Sequence, residues 1–172
     1  MPPAGFSAAT VLDEVGAGAT LQSIADAHSI DEILAAVRDA LTGLRLGVSS
    51  LDEPALRRVA GLELWSIAEI AGHVLRMDEA AHAVARALAV GQRPDVDVPY
   101  GVAGPASATR DDLLAGVGAA EERLAAARVL AAGGHTFPHD ELGALTARGW
   151  ILYIGLHAAA HLHQAAAVVR AR

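Results

Sequence analysis

Apolar residues recur at three- and four-residue spacing through four long stretches of the chain, the period of helices with one buried face. In residues 30–46 the stripe is Ile30, Ile33, Leu34, Val37, Leu41 and Leu44, with Arg45 alongside. Ser29 is placed to cap it and Glu32 to complete a capping box, and Gly47 is expected to stop it. Residues 66–90 repeat the arrangement, with Ser66 and Glu69 at the cap. Their inward face is Ile70, His73, Val74, Met77, Ala80, Ala81, Val84 and Leu88, and Gly91 follows. His82, nine residues after His73, falls about 180° away and is expected to face solvent. Thr109 and Asp112 open a third helix over residues 109–132, with Leu113, Leu114, Val117, Leu124 and Leu130 inward. The fourth covers residues 146–170.

Between these stretches the pattern breaks. Residues 1–28, rich in Gly, Ala, Ser and Pro, read as a partly ordered extension with a short helix near 19–28. Residues 48–64 read as a linker with a turn of helix near 53–59. Residues 91–108 carry Pro94, Pro99 and Pro105, and a loop of that length in a compact domain goes with function or mobility. Period-two runs of β-branched and aromatic residues are absent. The class predicted is all-α, with residues 29–172 forming a single four-helix bundle. No internal repeat or dividing linker is visible.

Composition narrows the function. A formal charge of −7, with scattered arginines, argues against nucleic acid as the main partner. The absence of cysteine excludes disulfides, thiolate metal sites and cysteine nucleophiles within the chain, and fits a cytoplasmic setting. The most apolar run, residues 150–160, is interrupted by His157, so no membrane span is expected. Residues 1–18 lack a basic start and contain Asp13 and Glu14, unlike a signal peptide.

The chemistry lies in the histidines. Of eight, three fall at core-facing positions: His73, His157 and His161. His157 and His161 are four apart on the fourth helix and project from one face, which Trp150, Ile154, Gln164 and Val168 share. The i, i+4 spacing lets one helix give two ligands to a metal, and His73 would supply a third from another helix. Three neutral imidazoles accept Zn²⁺, Ni²⁺ or Fe²⁺ and leave coordination positions open for water or substrate. Gln164 fits a supporting hydrogen bond better than a ligand, and Glu69 fits its capping role better than orienting His73. His28, His82, His135, His139 and His163 fall on loops or outward faces. A lone histidine on an apolar stripe is more often a hydrogen-bonded core residue, so the alternative is a bundle whose histidines only pack.

Three segments resemble the DinB-like family of metalloenzymes, the DinB/YfiT bundle superfamily. Leu64-Trp65-Ser66-Ile67-Ala68-Glu69-Ile70-Ala71-Gly72-His73 is similar to that family's W-S-x-x-E-x-x-x-H opening of the second helix. Phe137-Pro138-His139-Asp140-Glu141-Leu142-Gly143-Ala144-Leu145-Thr146 is similar to its lead into the fourth. His157-Ala158-Ala159-Ala160-His161-Leu162-His163-Gln164 is similar to its H-x-x-x-H-x-x-Q, with small residues where bulkier, often charged ones are common. The resemblance covers residues 30–170 and implies an up-down-down-up bundle, often a homodimer. It further implies zinc or nickel held by His73, His157 and His161. Relatives include thiol-dependent transferases and isomerases.

The function expected is therefore a metal-dependent transferase or hydrolase acting on a low-molecular-weight thiol or thiol-activated small molecule. The alternatives are a non-catalytic metal- or ligand-binding bundle in stress response, and a plain interaction module. Substrate-facing residues are expected from the 91–108 loop and the mouth of the bundle.

Overall fold

The computed structural model describes residues 5–59, 65–131 and 133–170. Four long helices dominate: α3 (Ile30–Ser49), α5 (Ile67–Ala89), α6 (Arg110–Ala126) and α7 (Ala147–Arg170). Shorter helices α1 (Ala8–Gly16) and α2 (Leu21–Ala27) precede them, and α4 (Glu53–Leu56) lies between α3 and α5. Ser29–Glu32, Ser66–Glu69 and Thr109–Asp112 each form both halves of a capping box, as their spacing predicts. Each box satisfies donors that the first turn of a helix cannot pair internally.

α7 is the centre of the packing. It lies against α5 and α3, and α1 and α2 rest on it as well. Ala147, and the run from Gly149 to Leu156, are buried, so this half of the helix has no polar face. Close approach is possible because Gly155 sits against Val37, where a Cβ would come within 3.2 Å of the Val37 side chain. Trp150, Ile151, Leu152, Met77, Ile33 and Leu124 are fully enclosed in the core beside it. Each such side chain contributes roughly 1.5–3 kcal/mol by leaving water.

The structure departs from the sequence reading at several points. α3 runs through Gly47 to Ser49, because Leu162 of α7 packs over Gly43 and Gly47 and rewards the missing side chains. α6 ends at Ala126 and tightens into a 3₁₀ turn, Ala127–Ala131. Ala132, where the third helix was expected to end, lies outside the described residues, as do Met1–Ala4 and the last part of the 48–64 linker. α2 corresponds to the short helix expected near 19–28, whereas α1 was not expected. Val11 of α1 and Leu21, Ile24 and Ala25 of α2 are buried.

A small antiparallel hairpin, β1 (Thr136–His139) and β2 (Gly143–Thr146), stands before α7 in an otherwise helical chain. It closes through Asp140, Glu141 and Leu142, with Gly143 at φ +78°. That positive φ suits glycine at the end of a three-residue hairpin loop. Its four-residue strands, one containing Pro138, are too short to show a period-two pattern.

His82 corrects another expectation. It is buried, with 0% of its surface exposed, because α5 is covered on its far side by α6 and the 3₁₀ turn. There it lies beside Asp78, one turn earlier, whose carboxylate also takes a 2.7 Å ion pair from Arg123 of α6.

Candidate metal centre

α5 delivers His73 and α7 delivers His157 and His161 to one point. One ligand atom from each imidazole can be chosen such that all three lie within 4.8 Å of one another. The expectation from spacing is met: these three histidines come together. Nε2 of His73 is 3.1 Å from Nε2 of His157. Two nitrogens bound at 2.0–2.1 Å in a tetrahedral shell stand about 3.3 Å apart, so the gap is of chelating size.

The second nitrogen of two rings is taken up. Nδ1 of His73 lies 2.9 Å from the carbonyl oxygen of Val102. A carbonyl only accepts, so this nitrogen carries the proton and the Nε2 lone pair faces the site. Nδ1 of His161 lies 2.6 Å from Oε1 of Gln164. Such outer hydrogen bonds fix tautomer and ring angle in metal sites. Gln164 is thus a supporting residue, as expected, and Glu69 keeps its cap on Ser66.

The Val102 carbonyl is held in place by a backbone contact. Gly104 N–H donates to the Glu69 carbonyl at 3.0 Å, and the Gly104 and Gly72 backbones touch. A Cβ on Gly104 would stand 2.5 Å from Gly72 Cα, so only glycine lets the 91–109 segment lie this close to α5. The long loop is therefore part of the site.

Burial favours the neutral form of His73 and His157, the form that binds metal. Burial, with His161, His73 and His139 nearby, pushes His157 down to about 2. Burial also lowers His73, assisted by His161 and Arg76 and opposed by the Val102 hydrogen bond. All three donors are nitrogens, a set that suits zinc, nickel and similar ions and not the oxygen-seeking Ca²⁺ or Mg²⁺.

The triad borders a cavity of about 460 Å³. Trp65 lies at its edge, its ring 4.9 Å from that of His73. Leu64, at the head of the same motif, lies outside the described residues. Ala160 lines the cavity between the paired histidines, where a larger side chain would take space. His163 is exposed, as expected. His28 is half-buried and stacks on Phe6, at 3.7 Å between ring centres.

The cavity also contains residues that the sequence reading missed. His139 was placed on a loop; it ends β1, is 6% exposed, and lines the same cavity with Tyr100 and with Tyr153, whose ring centre is 5.3 Å from that of His157. Leu12 and Val15 of α1 line it too. Tyr153 stands one turn before His157 on α7, within reach of the helical period; no periodicity marks the others, since a hairpin, a loop and a helix before the main pattern bring them in. The one available signal was the run Phe137–Thr146, already singled out as a lead into α7.

The sequence model of the DinB superfamily matches residues 18–165. No curated protein and no solved structure matches the chain.

Proposed function

The chain belongs to the DinB superfamily, and from that premise we propose that it is a metal-dependent transferase or hydrolase for a low-molecular-weight thiol or thiol-activated small molecule. His73, His157 and His161 hold the ion, zinc or nickel. The observation that carries this reading is the convergence of three imidazoles, two of them with the second nitrogen already hydrogen-bonded, on the wall of a cavity. A divalent metal bound there supplies Lewis acidity, lowering the pKa of a thiol or water that occupies an open position. The protein's part is to keep His73 and His157 neutral, to fix the rings of His73 and His161, and to shape the space in which the substrate lies. With this reading go an up-down-down-up order for the four long helices, a homodimer and a cytoplasmic setting. Among the described residues no helix is long and apolar enough to cross a membrane.

The test is elemental analysis of untagged protein beside His73→Ala and His157→Ala. About one equivalent of metal in the native protein, lost from both variants, supports a site shared by α5 and α7. Little metal in any sample after reloading with zinc and nickel sinks it. The native holoprotein is then assayed for turnover with a panel of small thiols.

A second reading is a non-catalytic metal- or ligand-binding bundle in stress response. It is favoured by the position of the acids: Asp140 and Glu141 are exposed at the rim, and among the described residues no carboxylate joins the triad. Stoichiometric metal with no turnover across the panel selects it.

A further inference from the structure

Beside the histidine triad, two residues that line the same cavity carry buried donors with no acceptor in the fold. Nε2 of His139 and the hydroxyl of Tyr100 are both buried, and neither has an acceptor for its proton; the Tyr100 oxygen has only the backbone N–H of Asp140 beside it. Their rings meet edge to face, with centres 4.9 Å apart. Burying polar groups unpaired costs each of them its hydration, so native proteins seldom do it without a reason.

The protonation of His139 follows from its other nitrogen. Nδ1 accepts from the backbone N–H of Glu141 at 3.1 Å and of Leu142 at 3.3 Å. It therefore carries a lone pair, and the ring proton of the neutral imidazole sits on Nε2. The hairpin turn thus fixes His139 as a donor. Tyr100, on the 91–109 segment, offers a second O–H. Rings of Tyr153 and Trp150 pack on His139, with centres 4.5 and 5.5 Å away, and hold its plane.

We propose that His139 Nε2–H and Tyr100 O–H form a carbonyl-binding station, which takes the carbonyl oxygen of a small amide, ester or thioester whose other end reaches the metal. It rests on the reading of the His73–His157–His161 triad as a metal site. Two donors and no cation select a carbonyl oxygen over a carboxylate. The charge of the rim agrees, because Asp140 and Glu141 are exposed there and disfavour an anionic ligand.

The test compares two thiols in the Co²⁺-loaded full chain. N-acetylcysteamine has an amide carbonyl and 1-propanethiol has none. Binding is read from the cobalt–sulfur absorption band. The variants are His139→Asn, whose side-chain oxygen can still accept from the turn N–H groups while the ring donor is lost, and Tyr100→Phe. The expected result is about tenfold tighter binding of N-acetylcysteamine by the native protein. That advantage disappears in both variants, while 1-propanethiol affinity and cobalt content stay unchanged. Equal affinity of the two thiols in the native protein, or an advantage that survives in both variants, overturns the proposal. If cobalt binds but neither thiol gives a band, the thiol reading fails on its own. The station is then decided by the His139 ring ¹⁵N resonances of the zinc protein titrated with N-methylacetamide. A dose-dependent shift that Tyr100→Phe abolishes supports it, and no shift overturns it.

Discussion

A neutral imidazole makes a good ligand when its remote nitrogen has a fixed partner, and Gln164 supplies that partner to His161 at 2.6 Å. Gln164→Leu is expected to keep the fold and weaken zinc affinity by about tenfold to a hundredfold, measured by competition with a chromogenic chelator. Acid acts on the same rings. His157 is pushed down to about 2 by burial and His73 is also lowered, so the folded chain resists protons that the unfolded chain accepts near 6.5. Stability of the metal-free protein is therefore complete above that value and is lost as pH falls below it. The shifted carboxylates, Glu32, Glu69, Asp112 and Glu121, ordinarily titrate at 4.5 or lower and are lowered further by their hydrogen bonds, so they act only at more acid pH. Melting temperature between pH 7 and 5 is expected to drop in the native protein and to drop less in His157→Gln. Equal slopes would contradict this. The triad and Gln164 were legible because helical periodicity alone places residues at i, i+4 and i+7 on one side. His139 was not, because its position depends on a turn closed by its own Nδ1.

At the scale of elements, one contact between backbones matters most. α5 and the 91–109 segment touch at Gly72 and Gly104, and that contact carries the Val102 carbonyl to His73. Gly104→Ala is expected to cost about 1–3 kcal/mol, since neither backbone can yield, and to weaken metal binding as His73 loses its acceptor. Chemical denaturation with a metal titration reads both; wild-type stability and affinity together would refute the coupling. A second contact joins α5 to α6 through Asp78, whose side chain has no exposed surface, and Arg123, whose side chain is 24% exposed. Arg123→Ala leaves a buried carboxylate beside His82 without its cation and is expected to cost roughly 3 kcal/mol, read by urea unfolding. That α5 is enclosed on both sides was not legible, because a stripe locates one buried face and is silent about a polar face covered by a charged pair. The caps of α3, α5 and α6 were legible, since a capping box is written within four consecutive residues, whereas the Ser7–Thr10 box of the unexpected α1 was not read.

Across the whole molecule, the family match begins at residue 18, yet Leu12 and Val15 of α1 line the cavity. Removal of residues 1–17 is expected to lower stability by roughly 2–4 kcal/mol, from Val11 and Ala8 leaving the core. Metal content is expected to stay at one equivalent; loss of metal in a folded truncated protein would show that α1 supports the ligands as well as the wall. The order of the ligands has a further consequence. His73 and His157 are 84 residues apart, with α6 and the hairpin between them. During synthesis a growing chain carries only His73 of the three until α6 and the hairpin have been made. His157 and His161 then arrive together on one helix. A half-made chain lacks two of the three imidazoles, so an ion held by all three would be taken up only once the elements that enclose the site exist.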